Sequence, residues 1–283
     1  MDDHRVQELK WWAEEKVRGF MTGLHRSPDF GFSLEFAQHR AYVPGDAPKF
    51  IDWSVYARQD KVLTKQFEAE SNLRAYLVLD SSSSMFVEVE GQSKWSYASR
   101  LLALITTLLH KQRDAIGLLE IRDEDFNFFE AKNTKSQIDR ILTHIKGRGE
   151  QSNKNASIVE AIDELISRIP SRGQIIFIVD AFQEDLSAYE ECLTKLNSSK
   201  HQVLFLALDD RRIADSKTYE GKEVVDAETG EKVFFNQDMG EYFHSFQQER
   251  LKALSEAVEV QGFKFYSIDT SEDIMVSLRK ILA

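Results

Sequence analysis

An aspartate followed by a run of serines is the segment of this sequence best suited to chemistry. Asp80-Ser-Ser-Ser-Ser84 places one carboxylate, that of Asp80, beside the alternate hydroxyls of Ser82 and Ser84. Asp180 ends a similar apolar run much later in the chain. Hard cations such as Mg²⁺ or Mn²⁺ prefer oxygen ligands of this kind. These four residues therefore form a candidate metal site.

The same loop also has a purely structural interpretation. An aspartate after a strand can accept backbone N–H bonds and so cap a loop or the following helix. Asp80 would then order the chain without binding a ligand, and a partner would be recognised by hydrogen bonds and shape. The spacing of these residues leaves both interpretations open.

Catalysis is not expected. The sequence has no Gly-x-Ser-x-Gly motif, no Gly-x-x-x-x-Gly-Lys-Ser/Thr loop and no zinc-type spacing of its histidines. A Mg²⁺-dependent phosphohydrolase of the haloacid type is the remaining enzymatic alternative, but it needs an acid where this chain has Ser82. The single cysteine, Cys192, lies in a predicted helix and is interpreted as a packing residue.

Composition excludes several other functions. The net charge of -11 disfavours binding to phosphate backbones, so nucleic acid is not an expected partner. The apolar runs are much shorter than the roughly 20 residues of a membrane span, so membrane insertion is not expected either. One cysteine permits no internal disulfide, and the polar first ten residues do not resemble a signal peptide. We therefore expect a cytoplasmic protein.

Strand and helix patterns alternate from residue 73 onward. Continuous apolar runs are typical of parallel strands buried on both faces, and amphipathic helical patterns separate them here. This alternation predicts an open, mostly parallel α/β sheet with helices on both faces. Because function gathers at the carboxyl ends of such strands, Asp80 and Asp180 are expected at one edge. The predicted strands are Arg74–Asp80, Ala115–Ile121, Gln174–Asp180, Gln202–Asp209 and Phe263–Ile268.

The segment before the sheet has a different character. Residues 5–23 have helical spacing, whereas residues 27–58 hold three of the four prolines and many aromatic residues. We therefore predict an N-terminal helical and loop-rich appendage over residues 1–72. The sheet domain is predicted over residues 73–283, with a hairpin insertion near 222–236.

The order of the polar residues on this sheet resembles the metal-ion-dependent adhesion site of von Willebrand factor A domains. That resemblance implies that Asp80, Ser82, Ser84 and Asp180 are metal ligands and that a partner's acidic side chain completes the metal shell. It also implies a threonine ligand from a later loop, at which this chain has Ala156. The residues that could replace the threonine are Ser152, Asn155 and Ser157.

Three motifs stand in order ahead of the sheet: Arg40-x-Tyr-x-x-Gly-Asp46, Ile51-Asp-Trp53 and Ala57-Arg58. With these motifs the chain resembles, over most of its length, the bacterial family named domain of unknown function 58. That resemblance implies action beside a MoxR-type AAA+ ATPase in chaperone-like assembly or activation. The protein would then be an adaptor, and ATP would be bound by the ATPase. Arg40, Asp46 and Arg58 are interpreted mainly as structural residues, and the alternative is that they are partner-binding residues on a docking surface.

Overall fold

The computed structural model describes most of the 283-residue chain. The described residues are 2–24, 35–43, 51–59, 61–68, 73–122, 126–147, 157–169, 173–180, 182, 186–212, 223–225, 232–234 and 237–282.

The chain divides into two compact units. One consists of residues 1–28 and 73–283, and the other of residues 29–72. The appendage predicted over residues 1–72 is therefore split, because its first helix belongs to the unit that contains the sheet. The helix spacing in residues 5–23 indicated a buried apolar face but could not indicate which partner would cover it.

A six-stranded sheet organises the larger unit and confirms the predicted fold class. Its strands are β3 (Arg74–Asp80), β6 (Ala115–Ile121), β7 (Phe126–Lys132), β8 (Gln174–Asp180), β9 (Gln202–Asp209) and β12 (Lys264–Asp269). They lie in the order β12-β9-β8-β3-β6-β7; the five predicted strands are parallel, and β7 pairs antiparallel with β6 at one edge.

Short antiparallel pairs complete the strands of both units. The short strands are β1 (Glu35–Ala41), β2 (Leu63–Glu68), β4 (Glu88–Val89), β5 (Gln92–Ser93), β10 (Glu223–Val225) and β11 (Lys232–Phe234). The pair β4 and β5 follows the serine loop and leads into the next helix. The pair β10 and β11 lies where the sequence places a hairpin insertion, and the residues between them lie outside the described part of the chain.

Helices cover both faces of the six-stranded sheet. The helices of the larger unit are α1 (Asp2–Leu24), α3 (Lys94–Lys111), α4 (Lys135–Lys146), α5 (Ile158–Arg168), α6 (Leu186–Ser198), α7 (Gln237–Val260) and α8 (Ile274–Leu282), and α2 (Trp53–Gln59) belongs to the smaller unit. On one face of the sheet, α5, α6 and α7 pack against alternate strand residues such as Val78 and Phe177. The other face carries α3, on which α1 and α4 pack. Among the described residues, we find no helix with the length and apolar character needed to cross a bilayer.

Helix α3 is the most buried helix in the described part of the chain. Ser93 caps its first turn by accepting a hydrogen bond from the Ser96 N–H at 3.1 Å. Apolar residues such as Leu101 and Leu104 are fully buried between the sheet and the helices outside it. The first residue of α3, Lys94, is buried and contacts Asp180 at the end of β8.

The smaller unit has an ordered polar centre of its own. Strands β1 and β2 form an antiparallel ribbon, and Asp52 lies at the start of α2. The Asp52 carboxylate accepts a bond from the Val55 N–H at 3.1 Å, contacts His39 at 2.9 Å and lies 3.6 Å from the Lys65 ammonium. The aspartate of the Ile51-Asp-Trp53 motif therefore caps α2 and ties it to both strands.

Asp114 is expected to make the stability of the larger unit depend on pH. It is 1% exposed between α3 and β6, and burial raises the pKa of its carboxyl to about 7 from an ordinary 3.8. A raised pKa favours folding of the protonated form, so this contribution is full below about pH 4 and is lost as the pH rises through about 7. We expect Asp114→Asn to stabilise the protein by on the order of 1 kcal/mol at about pH 8. The free energy of unfolding of this variant should then fall less steeply as the pH rises.

Urea unfolding of both proteins at about pH 5 and about pH 8 measures this effect. A stabilisation of the same size at both pH values would contradict the assignment to Asp114.

Candidate functional site

Four neighbouring strands of the sheet end in aspartate. Asp269, Asp209, Asp180 and Asp80 are the last residues of β12, β9, β8 and β3, which lie side by side in that order. All four are buried. Sequence reasoning identified Asp80 and Asp180 as site residues and passed over the other two. The signal that could have identified Asp209 and Asp269 was the acid that follows each apolar run, as at Asp80 and Asp180.

Asp80 is held by the backbone of its own loop and of β8. One carboxylate oxygen accepts the Ser82 N–H at 2.8 Å, and the other accepts the Asp180 N–H at 3.1 Å. Burial raises the pKa of the Asp80 carboxyl to about 7, and the neighbouring Asp180 carboxylate adds to this increase. Asp80 thus caps its loop, as the structural interpretation expects, and also brings negative charge to a buried position.

The serine hydroxyls stand together beside this carboxylate. Ser82 is buried and its Oγ lies 3.1 Å from the Ser84 Oγ. A short 3-10 helix, Ser83–Phe86, sets this spacing after β3 ends. Ser81 is turned the other way, since its hydroxyl donates to the Ile121 carbonyl oxygen at 2.7 Å. The structure therefore brings together three predicted residues, Asp80, Ser82 and Ser84.

Asp180 lies next to Asp80 but has different partners. The Lys94 ammonium donates to one Asp180 carboxylate oxygen at 2.7 Å, and the Phe182 N–H donates to the other at 3.1 Å. The side chains of Lys94 and Asp180 are 6% and 2% exposed. Both oxygens of the predicted fourth ligand are therefore engaged within the protein.

Sequence reasoning did not identify Lys94. The one available signal was its place at the start of α3, where the helix dipole disfavours a positive charge. A lysine in that position needs a compensating acid, but the sequence could not indicate that the acid would come from β8.

Asp209 and Asp269, at the ends of β9 and β12, continue the row of strand-end aspartates. Burial raises the pKa of the Asp209 carboxyl, and nearby Lys94 lowers it. Within the described part of the chain, the Asp209 Oδ1 and the hydroxyl of Thr270 are buried without hydrogen-bond partners. Asp269 instead binds Ser271, whose N–H and hydroxyl donate to it at 2.9 and 2.7 Å.

The donors around Asp80 suit Mg²⁺ in part. Ligands about 2.1 Å from a Mg²⁺ ion in octahedral geometry are about 3 Å apart, which is close to the 3.1 Å between the Ser82 and Ser84 hydroxyl oxygens. In the described residues, however, we find no group of three or more His, Cys, Asp or Glu side chains placed to hold a metal. A cation here would therefore rest on one carboxylate and two hydroxyls, with Asp180 outside the direct shell.

The loop expected to supply a further ligand is only partly described. Ser152, Asn155 and Ala156 lie outside the described residues. Ser157 is described as the N-cap of α5, and its hydroxyl oxygen accepts the Val159 N–H at 3.2 Å. This serine therefore has a capping role in the structure.

The partner-binding candidates lie in the smaller unit. Arg40, on β1, is half-buried, and its guanidinium donates to the Ala41 carbonyl oxygen at 3.1 Å. Arg58 is exposed in the last turn of α2. Asp46 lies outside the described residues.

The chain is similar to proteins that have not been characterised. Residues 38–253 match the family described as "Protein of unknown function DUF58". An uncharacterised protein of Mycobacterium tuberculosis (strain ATCC 25618 / H37Rv) is 24% identical over 226 residues, covering 80% of this chain and 70% of that protein. The family match includes the Arg40 segment and the ends of β3, β8 and β9, whereas β12 follows it.

Solved structures show a more distant likeness. The conserved hypothetical protein BatB from Bacteroides thetaiotaomicron has a TM-score of 0.44 and 16% identity, covering 74% of this chain and 96% of BatB. The VWA domain of SpRpn10 has a TM-score of 0.45 and 10% identity, covering 73% of this chain and 93% of that domain.

Proposed function

This chain belongs to the family described as protein of unknown function DUF58, and we propose that it is a non-catalytic adaptor that binds another protein at the carboxyl edge of its sheet. The observation that carries this proposal is the cluster of Asp80, Ser82 and Ser84 at that edge. Buried acids at the ends of β8, β9 and β12 lie on one side of the cluster, and Lys94 donates a hydrogen bond to the nearest of them, Asp180.

A divalent cation is part of this proposal. Asp80, Ser82 and Ser84 would hold Mg²⁺ or Mn²⁺, and the bound cation would accept a carboxylate from the partner. The 3.1 Å separation of the two hydroxyl oxygens and the negative charge of Asp80 support these ligands. Asp180 would contribute to the electrostatic potential around the cation while remaining hydrogen-bonded to Lys94.

The proposed partner is a MoxR-type AAA+ ATPase or the protein on which such an ATPase acts. This step depends on the family resemblance, which concerns chaperone-like assembly or activation. The acidic side chain required by the cation would come from the partner's surface. Cys192, the single cysteine, is buried in α6, and we propose a cytoplasmic location on that composition.

A metal-independent adaptor is the second candidate. The Lys94–Asp180 pair favours it, because an internal ammonium already neutralises one of the predicted ligands. The partner would then bind to the serine hydroxyls and the surrounding backbone by hydrogen bonds alone.

Asp80→Ala tests the cation site directly. Isothermal titration of Mg²⁺ and Mn²⁺ into the wild-type protein should give saturable binding, and the variant should lose it because the only carboxylate among the proposed ligands is gone. Asp163→Ala is the matched control, since Asp163 is an exposed aspartate on α5 that pairs with Lys195 at 2.8 Å. Circular dichroism should show all three proteins folded.

Loss of binding to the proposed ATPase partner in Asp80→Ala, but not in Asp163→Ala, would support docking at this edge. Absence of saturable binding in the wild-type protein at millimolar metal would contradict the cation-dependent form. Equal binding by wild type and Asp80→Ala would contradict the ligand set.

A further inference from the structure

Lys94 carries a positive charge into the centre of the strand-end site. We propose that this residue sets the cation requirement of the site: its ammonium supplies Asp180 with the charge that a divalent cation would otherwise supply, and so weakens divalent-cation binding at Asp80, Ser82 and Ser84. This inference rests on the proposed function, because it concerns the same cation site.

The ion pair of Lys94 is fully internal. Its Nζ lies 2.7 Å from the Asp180 Oδ2 and 5.5 Å from the centre of the Phe182 ring. Lysine side chains ordinarily extend so that the ammonium reaches water, yet this side chain is only 6% exposed. A buried lysine of this kind serves as a fixed counter-ion and not as a surface charge.

The position of Lys94 in α3 strengthens this interpretation. It is the first residue after the Ser93 N-cap, at the positive end of the helix dipole. A cation is unfavourable there, and the bond to Asp180 must offset both the dipole and the loss of water. Helix formation therefore gives no reason for a lysine at this position, whereas neutralisation of Asp180 does.

The charges at the strand ends give the direction of the effect. Asp80, Asp180 and Asp209 are buried on three adjacent strands, and Lys94 acts on the second and third of them. The ionised form of the Asp80 carboxyl attracts a cation, and cation binding in turn favours that form. Removing the ammonium would add one unit of negative charge near that position, and should strengthen divalent-cation binding by at least about tenfold.

Lys94→Gln tests this inference. Isothermal titration of Mg²⁺ and Mn²⁺ should show an affinity at least about tenfold higher than that of the wild type. Lys195→Gln is the matched control: Lys195 pairs with Asp163 at 2.8 Å and with Glu191 at 2.9 Å on the helical surface. It should leave the affinity unchanged. Lys94→Arg keeps the positive charge and should therefore bind Mg²⁺ and Mn²⁺ as weakly as the wild type does.

Thermal unfolding gives a second readout if Lys94→Gln folds poorly without metal. Millimolar Mg²⁺ should raise the melting temperature of Lys94→Gln more than that of the wild type, because the cation replaces the missing ammonium. Asp80→Ala combined with Lys94→Gln should lose this rescue. A Lys94→Gln protein that stays unfolded at every metal concentration would overturn the inference.

The outcomes separate this inference from the proposed function. Binding in Lys94→Gln but not in the wild type would support the role of Lys94 and overturn the cation requirement of the native adaptor. Equal affinities in both proteins would overturn the role of Lys94 while leaving the adaptor's cation site intact. Absence of binding in both would overturn both proposals.

Discussion

Replacing Asp180 with alanine is expected to lower the free energy of unfolding by about 3–5 kcal/mol. The variant would leave the Lys94 ammonium buried without its carboxylate, and the Phe182 N–H would lose its acceptor. An aspartate that served only as a metal ligand would instead be dispensable for folding in metal-free buffer. Urea unfolding without divalent cations therefore distinguishes the two roles of Asp180.

A double variant shows whether the loss arises from the ion pair. Lys94→Met combined with Asp180→Leu replaces both charges with apolar groups and should recover most of the stability lost in Asp180→Ala, because no charge is left unpaired. A loss below about 1 kcal/mol in Asp180→Ala would show that the pair contributes no more than an exposed salt bridge. That result would remove the structural role of Asp180.

Gly117→Ala is expected to destabilise the protein by about 1–3 kcal/mol through overpacking. Gly117 lies in β6, where an added Cβ would stand 2.5 Å from the Tyr76 ring and 2.7 Å from the Phe129 carbonyl oxygen. The ring is 2% exposed and is stacked on Phe128, with 6.0 Å between ring centroids. The Phe129 carbonyl oxygen lies on β7 and cannot move without disturbing the pairing of β6 and β7, and the Tyr76 ring would have to shift against Phe128.

Gly147→Ala provides the matched control for this prediction. Gly147 follows α4 with a φ of -74°, and an added Cβ would meet backbone oxygens no closer than 3.4 Å. We expect a change within about 0.5 kcal/mol at that position. Thermal or urea unfolding of both variants measures the difference, and equal stability of the two would contradict close packing at Gly117.

The central sheet could be predicted because its signal is local. Strand β8 is buried along its whole length, and such a strand must be apolar on both faces whatever its neighbours are. Strand β7 was not predicted from the sequence. Its residues are half-buried or exposed at the sheet edge, so its composition lacks the continuous apolar run on which the other predictions depended.

The N-terminal boundary shows the limit of that local signal. Val6, Leu9, Ala13 and Val17 have the spacing of one buried helix face, and the structure buries all four. The same spacing would suit packing on any apolar surface. Only the folded chain shows α1 on α3 and α4, where Lys10 forms an ion pair with Asp139.

The sequence by itself determined that Asp80 and Asp180 would each end a buried strand and that Asp80, Ser82 and Ser84 would share a loop. These are properties of neighbouring residues: an apolar run must stop where a charge begins, and alternate residues of a tight loop stay close. The tertiary structure alone decided that the Asp180 carboxylate pairs with the ammonium group of Lys94. Lys94 and Asp180 are separated by 86 positions and come within 2.7 Å only because α3 packs on the sheet beside β8. Long-range pairing of this kind depends on the arrangement of whole elements, which residue type and spacing do not specify.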